Sequence, residues 1–436
     1  MNSIIVFAIL AALLATGTPI AVAMVGTVML ALLFFTDVPM LVIIQQMFSS
    51  ADSFTLMAIP FFVLSGNIMT AGGISQRLIR VATAMFGGMS GGLAIAATAA
   101  CAFFAAISGS SPATVAAIGA IMMPALMKAK YNDAYSVGIV TSAGSLGIMI
   151  PPSIPMVVYA LATGEPIGKL FMAGVVPGLL TAAVFAVMCY IAAKRGGFGQ
   201  ADGETKADFK ELVAALKDGF WGLMMPLIVL GGIYTGMFTP TEAAAVAVVY
   251  SAIVGSFIYK DIKLKDYVDI LTSSASVAAM IMFIIISASA FSWYLTSQGI
   301  PQEVAEWIIS VAPEPWMFLV AVNVLLLIVG CFMEPNSAIL VLAPLFYPIV
   351  MKMNINPIHF GIIMIYNLEL GMLTPPLGLN LFVASGMTGF PLSRIVKASV
   401  PFIIAMFVML IVYTYIPIFS TWLPDLLSAA PVATPP

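Results

Sequence analysis

Charge is what this chain most lacks. Only 8% of its 436 residues are Asp, Glu, Lys or Arg, where a soluble domain carries about 25%. A soluble fold of this length has no room to hide a sequence that is 62% hydrophobic, so lipid must be the solvent for much of it. The formal net charge of -3 excludes the basic surface that nucleic acid needs. Histidine occurs once, at His359, which argues against a histidine metal site and a His-based triad. With no nucleophile–base pair and no H-E-x-x-H motif, nothing in the chain reads as an enzyme, a transition-metal centre or an organic-cofactor site. The three cysteines, Cys101, Cys189 and Cys331, lie in apolar segments without metal-ligand spacing and read as packed free thiols. The first 35 residues lack a basic n-region and a small-residue cleavage site. They read as mature membrane helix rather than signal peptide.

What is present is a series of apolar runs broken at four places. The breaks are I-S-G-S-S-P at Ile107–Pro112, G-I-M-I-P-P-S at Gly147–Ser153, G-C-F-M-E-P-N at Gly330–Asn336 and T-P-P-L-G-L-N at Thr374–Asn380. Polar backbone deep in a bilayer survives only where protein buries it or a wet cavity meets it. Such interruptions in corresponding halves point to a transporter's binding site. The arm Pro112–Met127 spans about 24 Å, short of a hydrocarbon core of about 30 Å. It therefore reads as one arm of a re-entrant hairpin with Ser108–Pro112 at its tip.

The halves repeat at an offset of 224 residues: Pro124 with Pro348, Lys128 with Lys352, Gly147 with Gly371, Pro151 and Pro152 with Pro375 and Pro376, Pro177 with Pro401. The predicted fold is an all-α polytopic membrane protein built as an inverted repeat, with two re-entrant hairpins and two broken helices. Residues 1–193 form the first repeat, with its hairpin at about 93–127 and its broken helix at about 134–162. Residues 219–422 form the second, with a hairpin at about 316–351 and a broken helix at about 357–387. Between them, 194–218 is a linker with an amphipathic helix, and 423–436 is a tail. Asp37–Asp52 reads as an interfacial stretch, and Thr239, Pro240 and Glu242 as a capping box. Basic loops orient the chain. Lys194–Asp218 and Lys260–Lys265 fall in the cytoplasm, which leaves Glu303, Glu306 and Glu314 outside. Each half then makes five crossings plus a hairpin, so the halves are inverted and the C-terminus is periplasmic.

The four breaks are predicted to converge. Helix C-terminal ends and unwound carbonyls suit Na⁺, and helix N-termini after Pro112 and Pro335 suit an anion. Ser111, Pro112, Ser153, Glu334, Asn336 and Asn380 are the candidate substrate contacts. Glu334 and Glu369 are intramembrane acids: at Glu334, on a predicted tip, function is the default reading, whereas Glu369, inside a helix, reads equally as a protonated or Ser/Asn-paired structural acid. A second reading is proton coupling through these two acids.

At these residues the chain resembles the large membrane subunit of the tripartite ATP-independent periplasmic (TRAP) transporters. The resemblance covers nearly the whole chain. It is carried by S-G-S-S-P-A-T-V-A-A-I-G at 108–119, G-I-M-I-P-P-S-I at 147–154, G-G-I-Y-T-G-M-F-T-P-T-E-A-A-A at 231–245, P-I-H-F-G-I at 357–362 and N-L-E-L-G-M-L-T-P-P-L-G-L-N-L-F-V-A-S-G at 367–386. The resemblance implies an elevator-type transporter of the bacterial inner membrane. It implies a periplasmic substrate-binding protein that delivers an organic acid, and a separate small four-helix membrane subunit, since no extra four-helix segment precedes the first repeat. It also implies at least two Na⁺ sites. One would use Ser108, Ser110, Gly147, Ile150 and Pro152, and the other Gly330, Thr374, Pro375 and Gly378. Many relatives carry Asp at the position of Glu334. The M-E-P form is similar to the C4-dicarboxylate branch, with sialic acid or another carboxylate as the alternative cargo.

Overall fold

The computed structural model describes residues 2–196, 209–375 and 378–428. Among them every regular element is a helix. The first half runs α1 (Asn2–Ala15), α2 (Ile20–Phe35), α3 (Leu41–Ala51), α4 (Ala58–Ala71), α5 (Ile74–Phe86), α6 (Gly92–Ser108), α7 (Ser111–Lys128), α8 (Asp133–Ala143), α9 (Leu146–Met149), α10 (Ile154–Thr163) and α11 (Ile167–Gly196). The second runs α12 (Phe209–Tyr234), α13 (Pro240–Ile253), α14 (Asp266–Ser297), α15 (Ile300–Val311), α16 (Pro315–Gly330), α17 (Pro335–Lys352), α18 (Pro357–Met372), α19 (Leu379–Thr388), α20 (Leu392–Tyr415) and α21 (Ile418–Ser428).

Nine of the described helices are long and apolar enough to cross a membrane, and α15 with α16 would add a tenth but for a bend of 114°. Phe34, Phe257 and Ile404 are exposed on the outside, as lipid-facing side chains must be. The chain is an all-α polytopic membrane protein. Not every predicted crossing reaches that length: α1 and α2 have only 14 and 16 residues.

The repeat holds element by element. Moving Ser111–Lys128 forward by 224 positions gives Pro335–Lys352, the bounds of α17. Asn132 caps α8 by accepting from the backbone N–H of Ala134 at 2.9 Å and of Tyr135 at 3.3 Å. Asn356, its counterpart, caps α18 by accepting from Ile358 at 2.9 Å and His359 at 3.2 Å. Each cap satisfies helix N–H groups that have no partner within the helix. Packing follows the same rule. The α10 helix lies on α17 and α19 on α7, while α4 lies on α13 and α2 on α14. Exchanging the halves turns each pair into the other, as a pseudo-two-fold relation requires.

Several boundaries differ from the sequence reading. The helix expected to run to Ile148 stops at Ala143 and resumes at Leu146. A Cβ on Gly144 would lie 2.2 Å from Val115 Cγ2 of α7, so the hairpin presses on a turn that only glycine allows. Within Asp37–Asp52 the chain forms α3, which turns Leu41, Ile44 and Phe48 outward and buries Ile43. Of the linker expected at 194–218, residues 209–218 form the first turns of α12 and continue into the span without a break. There Asp218 and Glu211 meet Arg77 and Arg80 of α5 at 3.2 and 2.9 Å, and Arg77 also meets Asp261 at 2.7 Å. These ion pairs clamp α5 to α12. Of the acidic stretch after Gln298, Ile300–Val311 forms helix α15 and Glu314 stands at the start of α16. The capping box on α13 forms as expected: Thr239 Oγ1 accepts from Glu242 N–H at 3.3 Å, and Thr239 N–H donates to Glu242 Oε2 at 2.8 Å. The linker residues 197–208, Pro376, and the tail residues 429–436 lie outside the described residues.

Candidate functional site

The first hairpin turns over at Gly109, whose φ of +59° is a region that side chains disfavour. A Cβ there would lie 2.8 Å from the Pro152 carbonyl oxygen, and Ile154 N–H donates to Gly109 O at 3.3 Å. The tip of the hairpin is thus seated on the break of the first broken helix. On the other side of the tip, a Cβ on Gly147 would lie 2.5 Å from Ser110 O and 2.6 Å from Thr114 Oγ1. Ser108 Oγ is 3.0 Å from Thr114 Oγ1, which donates to Ser110 O at 2.8 Å. Ser108, Ser110, Gly147 and Pro152 therefore come together around a group of oxygens. Ile150 ends α9 in extended conformation, and its side chain lies against Gly178 of α11. Thr114 was not a sequence candidate. Its signal was its place in the first turn of the helix that leaves the S-G-S-S-P tip.

The second hairpin is seated by contact of bare backbone. A Cβ on Gly371 would lie 2.4 to 2.8 Å from three backbone atoms of Gly330, and one on Gly330 would lie 3.1 Å from Leu368 O. Thr374 Oγ1 donates to Leu370 O at 2.9 Å. Gly378 has φ +53°, and a Cβ on it would lie 3.2 Å from Thr374 O. Gly330, Thr374 and Gly378 thus gather at the end of α18, with exposed Pro375 following. Glu334 is the N-cap of α17: it accepts from Ser337 N–H at 3.2 Å, and the Asn336 amide donates to its other oxygen.

Both tips face one cavity of about 260 Å³. Ser108–Ala113 contribute from the first hairpin and Glu334–Asn336 from the second. The cavity is also lined by Gly66, Asn67 and Thr70 of α4 and by Val277, Met280 and Ile281 of α14. Asn67 donates to Ser274 Oγ of α14 at 2.8 Å, which ties the two wall helices together. Neither Asn67 nor Thr70 was a sequence candidate. Each is a lone polar residue at the end of an apolar run, a signal without a pattern.

Two candidates stand apart from the cavity. Ser153 is 1% exposed, with no partner for its hydroxyl. Asn380 is fully buried against Glu369, itself fully buried in α18. Ser111 Oγ donates to Glu369 Oε1 at 2.6 Å, and Asn380 Nδ2 donates to the same oxygen at 2.9 Å. Ser111 borders the cavity, but its hydroxyl is turned to this acid. The one histidine is structural in its contacts, with Nδ1 2.7 Å from Ser420 Oγ and Nε2 3.2 Å from Thr414 O.

Comparison with known proteins agrees with this geometry. The family model for the tripartite ATP-independent periplasmic transporter, DctM component, matches residues 7–419. The chain is 50% identical over 380 residues to the C4-dicarboxylate TRAP transporter large permease protein DctM of Pseudomonas aeruginosa, covering 87% of this chain and 88% of that one. It is 44% identical over 441 residues to the protein of the same name from Rhodobacter capsulatus, covering 98% and 100%. Among solved structures, the Alcanivorax borkumensis YdaH transporter superposes with a TM-score of 0.59 over 87% of this chain and 86% of its own, at 12% identity. That likeness is one of fold. On the family match and the identity to both relatives, this chain belongs to the TRAP transporter large permease family, the DctM component.

Proposed function

We propose that this chain is the translocating subunit of a sodium-coupled importer of small carboxylates, with a C4-dicarboxylate as cargo, in a bacterial inner membrane. A periplasmic binding protein delivers the substrate, and a small four-helix membrane subunit holds the scaffold. The two hairpins and the two broken helices move as a unit past α4 and α14, in the manner of an elevator. The observation that carries this reading is the cavity itself: tips from both repeats meet in one space, which helices outside the hairpins also line. The names of the relatives supply the cargo.

The polarity of the cavity supports an anion at one defined place. Ser110 and Glu334 are counterparts in the repeat, and each is the N-cap of the inner hairpin arm. Glu334 caps α17 with its own carboxylate, whereas α7 has no side-chain cap. A substrate carboxylate at α7 would do there what Glu334 does at α17, against the positive end of a helix dipole. Glu334 is then a positioning carboxylate, because a free anion beside it would meet like charge. The sodium sites are the oxygen group at Ser108, Ser110, Gly147, Ile150 and Pro152, and the turn at Gly330, Thr374, Pro375 and Gly378.

The test is uptake of a radiolabelled C4-dicarboxylate into proteoliposomes holding both membrane subunits, with the binding protein outside. An inward sodium gradient drives uptake, and Ser110→Ala and Thr374→Ala each weaken its sodium dependence. An unchanged sodium response in both variants would overturn the assignment of the sites. Uptake driven by an inward proton gradient with no sodium present would favour Glu334 and Glu369 as proton carriers instead.

A further inference from the structure

Glu369, Ser111 and Asn380 form a closed triangle that neither the cavity nor the proposed sodium sites use. Ser111 and Asn380 both donate to Glu369 Oε1, and Asn380 Nδ2 also donates to Ser111 Oγ at 2.6 Å. All three side chains are fully buried, so no water replaces a bond that opens. The corners belong to three segments: the start of α7, the last turn of α18 and the start of α19.

We propose that this triangle is a latch that couples the two candidate sodium sites, so that filling one raises the affinity of the other. The proposal rests on the sodium reading above. Ser111 directly follows Ser110, whose carbonyl belongs to the oxygen group of the first site. Asn380 lies two residues beyond Gly378 in the second site, and Glu369 shares α18 with Gly371, on which the second hairpin is seated. A cation that orders either tip therefore orders both ends of one hydrogen-bonded knot, and that is how binding at one site lowers the ordering cost at the other. The knot exists once. The counterparts of Glu369, Ser111 and Asn380 in the other half are Ser145, Pro335 and Met156, which cannot build it, and Ser145 donates to Ser142 O instead. Stability alone does not account for the acid. Glu369 Oε2 and Asn380 Oδ1 have no partner, whereas buried polar atoms kept for structure are almost always paired. Glu369 is a positioning residue and touches no substrate.

Sodium titration of uptake by the reconstituted transporter tests the latch. The unmodified protein gives a cooperative curve, with a Hill coefficient above one. Glu369→Ala lowers the coefficient to one and raises half-saturating sodium about fivefold or more. Glu369→Gln, whose amide oxygen still accepts both bonds, keeps the cooperative shape, whereas Glu369→Met, which fills a similar space and accepts neither bond, loses it; a packing role would keep the shape in both. If Glu369→Ala does not reach the membrane, Asn380→Ala carries the same expectation. A variant curve with the original coefficient and midpoint overturns the latch and leaves sodium coupling standing. So does a sodium-dependent but non-cooperative curve for the unmodified protein. Uptake indifferent to sodium in the unmodified protein overturns the sodium reading itself.

Discussion

Single glycines set how closely the hairpins approach the broken helices. At Gly371 a methyl group has no place to go, because the atoms it would meet are backbone atoms of Gly330 at 2.4 to 2.8 Å. Neither helix can yield without unseating the second hairpin. Gly371→Ala should therefore destabilise the protein by about 1–3 kcal/mol and cut uptake. Gly386 in α19 is the control, since nothing lies within 4 Å of the Cβ it would gain. Gly386→Ala should leave uptake intact and raise stability by a few tenths to about 1 kcal/mol. Thermal unfolding in detergent reads both. If Gly371→Ala melts no lower than the unmodified protein, the close approach of α16 and α18 is wrong.

At the scale of the element, the repeat shows in how helices begin. Asn132 and Asn356 stand at the same point of each half and cap α8 and α18 with the same pair of N–H groups. Replacing either by Ala should cost about 1 kcal/mol, while Asp or Ser in its place should keep most of the stability. Equal melting of the Ala and Ser variants would show that the cap contributes nothing. Where the halves part company is more informative. The first broken helix has an extra turn at Gly144–Ser145, but α18 runs unbroken from Pro357 to Met372. Likewise α17 is capped by Glu334 and α7 by no side chain. A duplicated architecture thus carries one helix end without a side-chain cap and one that its own carboxylate has filled.

At the scale of the whole molecule, the proposed function requires motion between two bodies that share the cavity. Asn67 on α4 and Ala113 on α7 both line it. With Cys101, Cys189 and Cys331 replaced by Ala, the pair Asn67→Cys and Ala113→Cys can be joined by a reducible bifunctional thiol reagent. Joining them should stop uptake, and reduction should restore it. Uptake that persists after complete cross-linking would mean the hairpins do not travel past α4.

Much of this was legible in the residues. Low charge and long apolar runs dictate a lipid solvent, and proline with glycine at four places in register dictates where helices must end. Those are local properties of the chain, and so are the capping box at Thr239 and the family resemblance. A Ser- and Asn-paired role for Glu369 was one reading of the sequence, but the partners were not legible, because Ser111 and Asn380 are 269 positions apart and each reads alone as a pocket residue. Asn67 and Thr70 were hidden for the same reason: a lone polar residue on an apolar helix carries no period, and only packing decides which way it faces. Sequence determined where the backbone breaks, since backbone geometry is a matter of neighbours along the chain. Tertiary structure alone decided which breaks meet and which side chain spends its hydrogen bonds on the cavity, since contact depends on distance in space.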